Sequence, residues 1–194
     1  MAGPAATILI QTLRDPQATA RWLIAQDVPM SARWMAALLA AILSMIGLML
    51  AVLISPETEP SIFTALADPW FGLPVQVVSI LLLSVVVTVA GRVQGGQGRF
   101  ADALLLVSWL ELVMAIAQAL QLVALVILPP LSALISMASL VLFLWLMVHF
   151  TAALHGIAAL GRVLLALVAG FVAVVVLVAI VAGILGLVPQ PTGT

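Results

Sequence analysis

Apolar residues in this chain come in long, nearly unbroken runs. A helix needs about 20 of them to cross a bilayer, with a range of roughly 17–25. Five runs reach that length: Met35–Ile54, about Pro74 to Ala90, about Ala101 to Leu128, Leu131–Phe150 and Val163–Leu187. In hydrocarbon every backbone N–H and C=O must be satisfied within the segment, so each run predicts a transmembrane helix. Helix breakers fall between the runs. Ser55-Pro56 and Pro60 end the first, and Asp68-Pro69 and Pro74 precede the second. The stretch GRVQGGQGR separates the second from the third, Pro129-Pro130 turns the third into the fourth, and HGIAALG links the fourth to the fifth. Proline removes a donor and restricts the residue before it, which forces these turns. At 1.5 Å per residue the third run is about 40 Å long, beyond the roughly 30 Å hydrocarbon core, so it must tilt or begin in the interface.

Ahead of the first span, RDPQATARWLIAQDVP reads as a short helix ending before Pro29. Asp15 can cap it and Pro16 suits its first position. Ala18, Trp22 and Leu23 share one side, with Arg21 off it. That face fits a helix lying in the interface, and equally an ordinary helix outside the membrane. The expectation is an all-α membrane protein: five transmembrane helices in a bundle, with a short N-terminal interfacial helix. Residues 1–34 form the N-terminal segment, 35–188 the membrane domain and 189–194 a tail.

Composition agrees. The chain is 65% hydrophobic and 7% charged, against about 25% charged in soluble domains. A net charge of −1 offers no field for nucleic acid. With no cysteine, disulfides, thiolate chemistry and cysteine-bound zinc are excluded. A secretory signal peptide is not expected, because the first long apolar run begins far from the terminus and exceeds the about 7–15 residues of such a core.

All six basic residues are arginine, a usage that points to a GC-rich, bacterial genome. Arg14, Arg21 and Arg33 precede the first span, Arg92 and Arg99 follow the second, and Arg162 precedes the fifth. All lie on one side of a five-span layout, while Glu57, Glu59 and Asp68 lie on the other. Positive-inside bias then places the N-terminus in the cytoplasm and the C-terminus in the periplasm of a bacterial inner membrane. Arg92, Arg99 and Arg162 would face lipid headgroups. Trp22, Trp34 and Trp70 fall near the interfaces, as in an aromatic belt.

Transmembrane helices associate through small residues and a few polar contacts. The first span carries Ala36, Ala40, Ser44, Gly47 and Ala51 on one face, and the fifth carries Ala166, Gly170 and Ala173, then Ala179 and Gly183. Both read as packing ladders, for a partner inside or outside the chain.

The third span holds the residues that look most like chemistry. Ser108, Glu111, Ala115, Gln118 and Leu122 follow spacings of three and four and form one stripe, with Gln121 beside it. A charge at the bilayer centre costs about 2.5–3.5 kcal/mol on insertion scales, so the stripe should face the bundle interior. Glu111 then serves as a proton or ligand site, or as a carboxyl that hydrogen-bonds across the bundle to Ser44, Ser84, Thr88, Ser136 or Ser139. No second intramembrane charge completes a relay, which favours packing.

Other features carry less. His149 and His155 do not share a helical face, and interfacial hydrogen bonding accounts for them better than a metal. The glycine-rich loop lacks a preceding strand and a Gly-Lys-Ser/Thr, so it reads as a flexible cytoplasmic turn rather than a phosphate site. No Ser-His-Asp set or paired carboxylates appear, so no enzyme, cofactor or metal is expected.

Three stretches, TLRDPQATARWLIAQ, GGQGRFADALLLVSW and ALHGIAALGRVLLAL, together with five spans, resemble the Yip-domain family of membrane proteins, the Rab-GTPase-interacting class and its bacterial relatives. The similarity runs from about Leu13 to Leu187. It implies a five-span architecture without catalytic residues. Eukaryotic members resemble one another in an Asp-Leu-x-Gly-Pro stretch and a Gly-Tyr motif. Here DPWFGLP at Asp68 is a loose echo and there is no tyrosine, so the resemblance implies no Rab-binding site. The expected role is interaction or organisation in the inner membrane, as an accessory subunit of a larger assembly, with membrane lipids and other membrane proteins or a second copy as partners. The alternative is a small transporter or channel subunit using Glu111, Gln118 and Gln121.

Overall fold

The computed structural model describes residues 4–55 and 61–184. Pro56, Glu57, Glu59, Pro60, Leu187 and the expected tail 189–194 lie outside the described residues. Two short helices lead: α1, Pro4–Arg14, and α2, Pro16–Ala25. Asp15 caps α2, its Oδ1 accepting the Ala18 N–H at 2.9 Å. The spans are α3, Met30–Ile54; α5, Pro69–Arg92; α6, Phe100–Ile127; α7, Pro129–His155; and α8, Leu160–Ile184. The one-turn helix α4, Ile62–Leu66, joins α3 to α5 and is closed by a reciprocal Ser61–Thr64 capping box. All five spans are long and apolar enough to cross a membrane.

Three details differ from the sequence reading. Neither α1 nor α4 was expected; α4, at five residues, is too short to show a period. α2 packs on α6 and α7 and buries Thr19, Ala20 and Leu23, a contact that its own residue pattern did not mark. Pro74 lies inside α5 rather than ahead of it. The true start is Asp68-Pro69, where Asp68 Oδ1 accepts the Trp70 N–H at 2.9 Å. Proline at the sixth helical position deprives only the Trp70 carbonyl of a partner. Trp70 is 91% exposed at the helix end, where interfacial water can serve that carbonyl.

α6 is the axis of the bundle and packs against α2, α3, α5 and α7. Its first half is enclosed, with every residue from Ala103 to Ser108 buried. Its second half opens outward, and Leu120, Val123, Val126 and Ile127 are exposed. α8 stands at the margin, against α5 and α7. The helices are therefore tight at the arginine-bearing end and splayed at the other. α7 ends through Gly156 at φ 67°, and the Ile157 N–H returns to the Ala152 carbonyl at 3.0 Å, which satisfies a terminal acceptor.

Of the two small-residue faces, Gly47 and Gly170 meet neighbouring helices of the same chain, while Ala179 is exposed and Gly183 has no neighbour within 4 Å of an added Cβ. Ala40 and Gly47 are buried, and Ser44 and Ala51 half-buried. A Cβ on Gly47 would overlap the Gln118 side-chain amide of α6, and one on Gly170 would come within 2.9 Å of Val86 Cγ1 on α5. Ala166 is half-buried, whereas Ala173 is exposed. Gly47→Leu is therefore expected to destabilise this chain itself by about 1–3 kcal/mol, the usual cost of overpacking. Adding Gln118→Ala should recover part of the loss, because the obstructing atoms are the end of a flexible side chain. Unfolding by SDS titration in mixed micelles would read both values.

Candidate functional site

Two places concentrate polar chemistry: the arginine-bearing end of the bundle and a cavity beside Glu111.

At the first, three bonds tie together segments far apart in sequence. Arg33, at the start of α3, is buried, and its Nη1 sits 2.6 Å from Asp102 Oδ1 in the first turn of α6. Its Nε donates to the Val28 carbonyl at 2.7 Å. Trp109 Nε1 on α6 donates to Thr12 Oγ1 on α1 at 3.1 Å, while the Thr12 hydroxyl itself donates to the Ile8 carbonyl. The third bond is made by His155, the last residue of α7. The Gly98 N–H donates to its Nδ1 at 3.1 Å. A backbone N–H can only donate, so Nδ1 accepts, Nε2 carries the proton, and that N–H points at the Val87 carbonyl 3.2 Å away.

The glycine-rich loop explains itself here. A Cβ on Gly91, Gly96 or Gly98 would overlap the His155 side chain. The glycines form a cradle for one buried imidazole rather than a flexible turn. The sequence showed both the glycine cluster and the helix-end histidine, but nothing in it joined them. Arg92 also closes the loop, with its Nε donating to the Gly98 carbonyl at 3.3 Å. Arg14, Arg21, Arg92, Arg99 and Arg162 remain exposed around this end. His149 takes no part; its Nδ1 lies 2.7 Å from the Trp145 carbonyl and its ring is tilted on the Trp145 indole. Among the described residues no group of three or more histidines and carboxylates is placed to hold a metal ion.

The stripe on α6 is divided by its surroundings. Ser108 is buried and donates to the Leu104 carbonyl of its own helix at 2.7 Å. Gln118 packs on Gly47 of α3. Gln121 is half-buried and lines neither of the cavities described below. Glu111 alone faces a cavity of about 490 Å³ between α5, α6, α7 and α8, whose other polar residues are Gln76 and Ser79. A smaller space of about 140 Å³ among α3, α4 and α5 is lined by Ser44, Gly72, Gln76 and Ser79, so these last two border both. None of the expected hydroxyl partners bonds to Glu111, and Ser44 lines the smaller space instead. Ser84 donates to the Ile80 carbonyl and Thr88 to the Ser84 carbonyl, each at 2.7 Å. Ser136 is exposed and Ser139 half-buried. Among the described residues Glu111 has no hydrogen-bond or ion-pair partner.

No curated protein and no solved structure matches the chain. A family model does: the Yip1 domain, over residues 10–180. That span contains all three bonds of the arginine-bearing end and all of the Glu111 cavity. With five spans and a match over most of its length, the chain belongs to the Yip1-domain family of membrane proteins.

Proposed function

We propose that this protein is a non-enzymatic organising protein of the bacterial inner membrane and an accessory subunit of a larger assembly, engaging its partners through the arginine-bearing end. One observation supports this reading. That end ties its own polar groups together through Arg33–Asp102, Thr12–Trp109 and His155–Gly98, and it leaves five arginines exposed on the resulting frame. Such a frame suits anionic headgroups and the acidic surface of a partner, each basic residue near an anionic surface contributing about 1 kcal/mol. Positive-inside bias puts this end in the cytoplasm. The packing ladders do not carry the proposal, since Gly47 and Gly170 meet α6 and α5 of the same chain.

The test compares wild type with the triple variant Arg92→Ala, Arg99→Ala, Arg162→Ala, extracted from native membranes in mild detergent. Proteins and anionic lipids recovered with the wild type should fall at least about tenfold with the variant, on the strength of three lost surface charges. Equal recovery would remove the proposal. Orientation is tested separately by Gln97→Cys, an exposed loop position in a chain with no other cysteine. An impermeant maleimide should label it only after the membrane is opened from the cytoplasmic side.

A second reading, a small transporter or channel subunit, is favoured by the cavity at Glu111. Cysteine at Ser79 would report water there; cysteine at Ser108 or Gln118 would report packing.

A further inference from the structure

The Glu111 cavity is independent of the arginine-bearing end and carries its own chemistry. Its walls are aliphatic except for Glu111, Gln76 and Ser79, with Phe143 and Met147 from α7 and Phe171 from α8. Glu111 is the one charged or titratable side chain among the described lining residues of α5, α6, α7 and α8. A carboxylate in such a place is costly unless a cation compensates it, and the described residues supply none: Arg33, the one buried arginine among them, is committed to Asp102. Phe143 and Phe171 in the lining supply aromatic rings, which favour positive charge over their faces. The volume falls within the about 300–1,000 Å³ of small-molecule sites.

The cavity also has a direction. Ser79 of α5, Leu140 and Leu144 of α7, and Leu164, Val168 and Phe171 of α8 line it and are themselves exposed. A space lined by exposed residues of three spans is open to the side rather than enclosed, and for a membrane-spanning bundle the solvent at its side is acyl chain. Glu111 stands about 16 Å along α6 from Phe100, at 1.5 Å per residue, well inside the hydrocarbon. A hydrated inorganic cation would reach it poorly. A cation that carries its own apolar shell would reach it from the bilayer.

We propose that this cavity binds a lipophilic organic monocation that enters laterally from the membrane, sets its charge against Glu111, and seats its apolar groups among Phe143, Met147 and Phe171. The carboxylate holds either a proton or the organic cation, so the two compete for one site.

The experiment uses the purified full chain in lipid nanodiscs and radiolabelled tetraphenylphosphonium, with tetraphenylborate as a comparator of the same shape and opposite charge. Wild type should bind the cation saturably, more tightly as pH rises, and should not bind the borate. Glu111→Gln should weaken cation binding about 30-fold or more, the least effect seen when one partner of a desolvated charge pair is removed, and should abolish the pH dependence. Val168→Trp adds bulk at an exposed lining position away from the carboxylate and should obstruct the cavity, keeping the proposal testable if Glu111→Gln misfolds. The proposal is overturned by no saturable binding to wild type, by equal binding of the borate, by unchanged affinity in Glu111→Gln, or by unchanged affinity in Val168→Trp. None of these outcomes touches the role of the exposed arginines, which the triple variant tests alone.

Discussion

Arg33→Ala should destabilise the bundle by about 3–5 kcal/mol, the range found when one member of a buried ion pair is deleted and the other is left behind. Arg33 and Asp102 qualify, because their side chains are 7% and 13% exposed and their bond is 2.6 Å long. The loss is of two kinds. Asp102 keeps a charge without a partner in the first turn of α6, and the Val28 carbonyl loses the Arg33 Nε–H that serves it at 2.7 Å. The pair itself is worth much less than the single deletion suggests, since its Coulomb gain is offset by the desolvation of both ions. The double variant Arg33→Met, Asp102→Leu should therefore lie within about 1–2 kcal/mol of wild type, on the precedent that apolar replacement of a buried pair is often neutral. SDS unfolding in mixed micelles gives both values. If Arg33→Ala costs less than the double variant, the pair is not buried as described.

The second large effect is expected at the imidazole cradle. Gly91→Ala places a methyl group where the His155 ring now lies. The ring cannot swing aside as Gln118 can, because its two nitrogens are held by Gly98 and Val87 and the residue is 8% exposed. Overpacking of this kind costs about 1–3 kcal/mol, at times more, and Gly91→Ala should fall at or above the upper end. His155→Ala should also destabilise, by leaving the Gly98 N–H without its acceptor. The two losses should not add. Once the ring is gone, Gly91→Ala should cost almost nothing further, so the double variant should be no worse than His155→Ala alone. Contacting residues are where additivity fails. A strictly additive cycle would show that the methyl and the ring do not share the same space.

These effects meet at the segments that carry the family resemblance. Thr12 lies in the first stretch, Gly96, Gly98, Asp102 and Trp109 in the second, and His155 in the third. Read as strings they look like loosely polar connectors. Folded, they are the places where the helices are fastened to one another, across separations of 57 to 97 positions.

The number, order and approximate ends of the five spans follow from the sequence by itself. Hydrocarbon cannot hydrogen-bond a backbone, so every long apolar run must be a helix whatever surrounds it. Asp15-Pro16, Asp68-Pro69 and Pro129-Pro130 start helices by chemistry confined to one turn, and Gly156 ends one the same way. The gathering of arginines at one end is equally a property of order along the chain. What the tertiary structure decided is which neighbour each polar side chain meets. Glu111 and Gln118 lie on nearly the same face of α6, yet α3 presses on Gln118 at Gly47 while α5, α7 and α8 stand apart at Glu111 and leave a cavity. The glycine loop is packed rather than open, because a histidine 57 positions from Gly98 fills it. Helix formation in lipid is dictated locally, residue by residue; the spacing between helices is set by the side chains on both, and those become neighbours only when the chain has folded.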